Sequence, residues 1–389
     1  MTKLQQLYKN IMKRIVLLAI TATLLAAGCQ KTRVFNQVNP EGEPKMTFTP
    51  GMNKLTKAAD SDGVSNLQSQ YFSVWAYADY EDPLNDKDDL DQIYDGMDGA
   101  PISYDGKGSW IPNKDYYWPG QDKKLNFFAV SPASVENQVE ISLIPRTDPS
   151  EAQNPILYVN DFTVTDGNTD LMVADFVNQA QNKGETSTKQ VVLMFRHTLS
   201  KVQFLFRTEG SSSTEEGEEK NDDVHVQNIV IADVITQGDL TVAQNTGADA
   251  TTKPCKATWD ANGGTTTFIE DYAGKDDTAD LSSIADIQWI KPREETQDLT
   301  AMKLTSEARP FATWLLLPQS IEGLKLKVLY LMGKRQMEST FVLHTSDLKR
   351  WGENQYIKYT ITLTPNKITF TPEVGDWEPK EGDNINMGN

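Results

Sequence analysis

One phrase occurs twice in the chain. Lys45-Met46-Thr47-Phe48-Thr49-Pro50-Gly51-Met52, near the front, returns as Lys367-Ile368-Thr369-Phe370-Thr371-Pro372-Glu373-Val374 near the end. Lys, Thr, Phe, Thr and Pro recur in register, and both copies alternate apolar with polar residues. A period of two turns one face of a strand inward and leaves the threonines outside. Met46, Phe48, Pro50 and Met52 share that face in the first copy, and Ile368, Phe370, Pro372 and Val374 share it in the second. Two strands with one inward profile fit one groove. Thr-rich, strand-rich chains also repeat such phrases by chance, so the rest of the sequence decides what the echo means.

Around the two copies the pattern is one of short strands. Tyr71 to Tyr77 and Leu125 to Val130 read as buried aromatic strands, and Val139 to Leu143, Ile156 to Val164 and Leu171 to Val173 follow between Pro- and Asn-rich turns. Val191 to Phe206 opens the second half. Asn262-Gly263-Gly264, flanked by threonines, has the chemistry of a hairpin turn. Near the end Ile357, Tyr359, Ile361 and Leu363 alternate with polar residues. No stretch sustains a helical apolar period over several turns, so the expectation is an all-β chain of sandwich architecture. The polar segment Gln179 to Gln190 places a boundary between an N-terminal domain, 45–185, and a C-terminal domain, 186–389.

The front end reads as an export signal. Lys13 and Arg14 precede the apolar run Ile15 to Ala27, too short for a bilayer span of about 20 residues. Leu25-Ala26-Ala27-Gly28-Cys29 resembles a bacterial lipobox, which makes 1–28 a signal peptide, Cys29 the lipid-bearing residue and 29–44 a polar leader. Cys255 is the other cysteine, so an acylated Cys29 leaves no intrachain disulfide. The net charge of −18 argues against nucleic acid, whose phosphates call for clustered Lys and Arg.

Chemistry-bearing constellations are sparse. His197, His225 and His344 are the three histidines, none at metal-ligand spacing from another and none near a nucleophile motif. The acid-rich stretch Glu81 to Asp91 lacks the turn Gly and closing Glu of a calcium loop and reads as a solvated loop. The expectation is a non-enzymatic protein with no metal and no cofactor. Aromatics such as Trp110, Tyr116, Tyr117 and Trp118 fit core packing first. An alternative is a monomeric surface lipoprotein that binds glycans through exposed aromatics.

Tyr116-Tyr117-Trp118-Pro119 with the downstream Leu125-Asn126-Phe127-Phe128-Ala129-Val130-Ser131-Pro132, the run from Phe195 to Phe204 and the closing Val374-Gly375-Asp376-Trp377 resemble the fimbrillin and Mfa-like proteins, lipoprotein subunits of type V pili. The resemblance implies two consecutive transthyretin-like β-sandwich domains and a stalk or anchor subunit at the outer membrane and cell surface. It also implies partners: other pilin subunits, the membrane through lipid on Cys29, and a trypsin-like maturation protease. The protease removes the first strand, and a neighbour donates another in its place. On this chain the displaced strand is Met46, Phe48, Pro50 and Met52, and the donor is Ile368, Phe370, Pro372 and Val374 of the next subunit. A subunit's own core then need not contain the second phrase. Burying four such side chains contributes on the order of 6–10 kcal/mol before ordering costs. Processing in the family is associated with Arg. Here the basic residues after the first phrase are Lys54 and Lys57, in a small, polar stretch suited to cleavage.

Overall fold

A computed structural model describes residues 45–52, 61–79, 96–118, 124–143, 155–180, 189–209, 223–243, 256–271, 301–333, 335–364 and 368–377. The expected signal peptide and leader with Cys29, the candidate cleavage residues Lys54 and Lys57, the acidic stretch 81–91 and Cys255 lie outside the described residues.

The first phrase is strand β1 (Met46–Met52), followed by helix α1 (Ser61–Gln70). Strands β2 (Phe72–Asp79), β3 (Ala100–Tyr104), β4 (Trp110–Pro112) and β5 (Lys124–Ser131) come next. A 3₁₀ turn, Ala133–Gln138, leads into β6 (Val139–Leu143) and β7 (Pro155–Thr163). Then follow β8 (Met172–Ala180), β9 (Lys189–His197), β10 (Ser200–Arg207), the long β11 (Val224–Ala243) and β12 (Lys256–Asp271). The last run is β13 (Met302–Lys303), β14 (Arg309–Leu316), β15 (Lys325–Met332), β16 (Arg335–Val342), β17 (Gln355–Leu363) and β18 (Ile368–Asp376), the second phrase. The chain is all-β apart from its short helical pieces.

Three sheets result. The first runs β1-β9-β8-β5-β2-β3-β4, the second β14-β10-β17-β18, and the third β16-β15-β11-β7-β6 with β12 and β13 also on β11. Alternation explains the packing. On β5, Leu125, Phe127 and Ala129 enter one core with Met46 and Phe48, while Phe128 and Val130 enter a second core on the opposite face. The first sheet is therefore covered on both faces, which is why Leu125 to Val130 is apolar nearly throughout. β10 buries Ser200, Val202, Phe204 and Phe206 and leaves the residues between them half-buried.

Several expectations need correction. The change-over at 185/186 does not coincide with the division of the sheets. β9 lies in the first sheet, beside β8, while β6 and β7 lie in the third. β8 and β9, on either side of 185, are antiparallel neighbours in the first sheet. The run Val191 to Phe206 is broken, because the backbone N–H and the hydroxyl of Thr198 both donate to the Leu171 carbonyl and turn the chain from one sheet to another. Asn262-Gly263-Gly264 is no hairpin turn. It lies inside β12, where Gln237 faces Gly263 and Gly238 faces Ala261, so Asn262 is the extra residue of a bulge. Gly264, at φ +53°, supplies the left-handed conformation there instead of in a turn. Helix α1 went unread because Leu67 is the one residue of its second half that is buried, too little to make an apolar stripe.

Candidate functional site

The first phrase occupies a closing position. β1 runs parallel to β9, with Met46 opposite Lys189 and Met52 opposite Phe195. On its other flank Lys45 bridges to Tyr117, and the Met46 N–H donates to the Tyr116 carbonyl at 2.8 Å. β1 thus stands between one end of the first sheet and the segment that follows β4, the other end, and joins them. Met46, Phe48 and Met52 are 1%, 4% and 9% exposed, in a core that also holds Tyr116, Trp118 and Phe195. Pro50 is half-buried. Burying those three side chains contributes roughly 5–9 kcal/mol. Lys45 forms an ion pair with Asp115 whose partners are about half exposed, so it adds little. At Gly51 a Cβ would sit 3.4 Å from the Met194 sulfur, ordinary contact, so the seat admits a side chain where Glu373 stands in the second phrase.

The second phrase is seated loosely. β18 is the outermost strand of the second sheet and pairs antiparallel with β17, Ile368 opposite Leu363 and Val374 opposite Ile357. Ile357, Tyr359, Ile361 and Leu363 are fully buried, whereas their partners are not. Ile368 is 39% and Val374 49% exposed, and Phe370 and Pro372 are half-buried. Phe370 stacks on Tyr359 at 5.1 Å and on Phe341 of β16 at 5.5 Å. The second phrase therefore pairs within its own subunit's sheet, where the strand-exchange expectation asks only that the subunit's core need not contain it. The reason is that β17 offers a matching apolar row on an otherwise open edge.

His197 ends β9 and is fully buried. Its Nδ1 lies 2.8 Å from Asp170 Oδ2, and both side chains are inaccessible. Asp170 Oδ2 also accepts from Asn66 Nδ2 at 2.8 Å. The imidazole is stacked on Trp377, centroids 3.7 Å apart. Nearby hydroxyls are committed to backbone carbonyls, Thr198 to Leu171 and Ser200 to Gly352. A buried, stacked imidazole with its hydroxyl neighbours so engaged has no room for a substrate, and this is structural chemistry. Among the described residues no group of three or more His, Cys, Asp or Glu is placed to hold a metal ion. Tyr116 and Trp118 are fully buried, which removes them from any exposed sugar platform. Nothing in the sequence marked Asp170 as the partner of His197, or Asn66 as the partner of Asp170. Asp170 lies in a Gly-Asn-Thr-Asp stretch that reads as a plain turn.

The profile described as Fimbrillin-like matches residues 56–377. The chain belongs to the fimbrillin-like family. The match takes in β18 and ends on Trp377, while β1 lies ahead of it. Among solved structures, a fimbrial protein from Bacteroides vulgatus superposes with a TM-score of 0.50 at 14% identity, over 86% of this chain and 99% of that one. A protein assigned to cell adhesion from Bacteroides uniformis gives 0.45 at 15% identity, over 86% and 99%. The tip fimbrial protein Mfa3 from Porphyromonas gingivalis, with a C-terminal truncation, gives 0.35 at 10%, over 86% and 100%. No curated protein matches the sequence. Family membership supports a structural, pilus-type subunit of the cell surface.

Proposed function

We propose that this fimbrillin-like chain is a pilus subunit built by strand exchange. It is exported as a lipoprotein on Cys29 and cut after Lys54 or Lys57 by a trypsin-like protease. It then polymerises when the β18 phrase of one subunit enters the seat that β1 leaves in the next. One observation carries the reading: the same phrase is buried in one place and underused in the other. Met46, Phe48 and Met52 are 1–9% exposed, while Ile368 and Val374 are 39% and 49% exposed. Phe matches Phe and Pro matches Pro at the two central positions. Loss of β1 leaves β9 with unpaired backbone groups beside a dry pocket, and an incoming strand satisfies both. The contact is heterologous and does not close on itself, so it extends into a filament. While β1 remains covalently attached its effective concentration excludes a competitor, so a cut is the natural trigger.

The exposures choose the test. Ile368→Asp and Val374→Asp place a carboxylate where the monomer is already open to water, yet in the seat of a neighbour it would meet a dry pocket. Both variants are expected to fold as monomers and to lose the polymer ladder on a gel. Thr371→Asp, on the exposed face, is expected to ladder normally. Equal ladders from wild type and all three variants would reduce the echo to repeated strand grammar.

A further inference from the structure

The end of β18 is held unlike its body. Trp377, the residue after the strand, is buried although Ile368 and Val374 are open. Its backbone N–H donates to the Asn354 carbonyl at 2.9 Å, and the Asn354 N–H donates to the Leu199 carbonyl at 3.0 Å. Its indole lies on His197, 3.7 Å between centroids and 3° from parallel, with the Lys201 ammonium 5.5 Å from the ring. The indole N–H has no partner among the described residues, so ring contact, not a side-chain hydrogen bond, seats this residue. The strand cannot leave its sheet without lifting Trp377 from the imidazole.

That imidazole is in turn set by the front of the chain. His197 Nδ1 is 2.8 Å from Asp170 Oδ2, and Asn66 donates to the same oxygen at 2.8 Å. Asn66 sits on α1, and its neighbour Leu67 is 1% exposed in the core filled by Met46, Phe48 and Met52. β1 also ends opposite Phe195, two positions before His197 on the same strand. The contacts therefore run without a gap from β1 through α1 and Asp170 to His197, and from there to the end of β18.

We propose that these contacts form a clasp that keeps β18 on its own subunit until β1 has gone. Withdrawing β1 empties the pocket beside Leu67 and lets α1 shift. Asn66 then releases Asp170, the imidazole loses the bond that orients it, and the flat stack under Trp377 is weakened. Removal of the first strand and donation of the last become ordered events, and a subunit whose seat is still filled does not offer its own strand. The purpose of the clasp rests on the strand-exchange reading. Its operation is a property of a single subunit.

Hydrogen exchange read by mass spectrometry on the full, uncleaved chain tests it, with the peptide spanning 368–376 as the readout and 200–207 as an internal reference. Trp377→Ala should speed exchange in 368–376 roughly tenfold, the equivalent of one aromatic stack. Asn66→Ala, at a half-buried helix position, and Phe48→Ala, which opens the pocket beside Leu67, should each speed it several-fold and leave 200–207 unchanged. Ser65→Ala, exposed on the same helix, should change nothing. If Asn66→Ala and Phe48→Ala both leave 368–376 at the wild-type rate, the clasp is overturned, and a Trp377→Ala effect standing by itself would make it a local anchor. Because no polymer is needed, a failed ladder refutes strand exchange without touching this result, and the converse also holds.

Discussion

The imidazole of His197 lies flat on the indole of Trp377, centroids 3.7 Å apart and planes 3° from parallel. This stack ties the last residue of β9, the partner strand of β1, to the first residue beyond β18. The strand that pairs with the first copy and the residue that follows the strand of the second thus meet at one buried contact, although the two copies sit in different sheets. A histidine that looks catalytic in a sequence is here a packing element, fixed by Asp170 on one edge and by an aromatic face.

The stability cost of its loss follows from those partners. His197→Ala removes a hydrogen bond to a buried carboxyl, about 1–3 kcal/mol, and a ring stack of about 0.5–1.5 kcal/mol. Urea unfolding should therefore place the variant roughly 2–4 kcal/mol below wild type. No hydrolytic activity is expected of either protein. A hydrolase activity of the wild type that vanishes in a folded His197→Ala protein would overturn the structural reading of this residue.

Within the uncleaved chain the first phrase should tolerate a charge on one face and not on the other. Phe48 is 4% exposed among apolar neighbours, so Phe48→Asp should cost several kcal/mol, about 3 or more. Thr49 is exposed, and Thr49→Asp should fall within about 0.5 kcal/mol of wild type. Denaturant midpoints of the two variants settle the matter. Equal midpoints would mean that β1 does not occupy its seat in solution.

Strand positions and the inward face of the first phrase were legible because a period of two leaves little choice of register. The aromatic strand at Leu125 was readable as buried for the same reason. What escaped was long-range. Nothing local announces that β9 stays with the first sheet while β10 joins the second, since the switch is made by Thr198 bonding to Leu171, just ahead of β8. Gly263 and Gly264 carry the same conformational freedom in a turn and in a bulge, and only the partner strand β11 distinguishes the two. The exposure of Ile368 and Val374 was also hidden. Their residue types predict burial, and an edge position with no further strand beyond it among the described residues withholds it.

Processing leaves a mark on the assembled protein. If a trypsin-like enzyme frees β1, subunits recovered from filaments begin at Leu55 or Ala58, the residues that follow Lys54 and Lys57. N-terminal sequencing reads this directly. Filament subunits that all retain Cys29 would mean that β1 stays in its seat, and the proposed exchange would then lack a vacancy to fill.

Tyr359 gives the pH response. It is buried in the second sheet between Phe204, stacked at 5.2 Å, and Phe370 of β18, at 5.1 Å, and its oxygen accepts the Trp351 indole N–H at 3.0 Å. Burial pushes its ionisation well above the ordinary phenol value, with the Trp351 hydrogen bond acting the other way. The folded state therefore holds the proton more tightly than the unfolded state. The sign follows: this contribution is whole below the unfolded value near pH 10 and is lost as the pH rises through the folded one. Tyr359→Phe deletes the titrating group and strands the Trp351 N–H, costing about 1–2 kcal/mol at neutral pH. Urea midpoints taken from pH 7 to 11 should show wild type and variant converging above about pH 10, because wild type alone loses the buried phenol's contribution. Other tyrosines and lysines titrate in both proteins and cancel in the difference. Parallel curves across that range would mean that Tyr359 ionises as an exposed phenol does. β18 would then lie farther from β17 than its stack on Tyr359 requires.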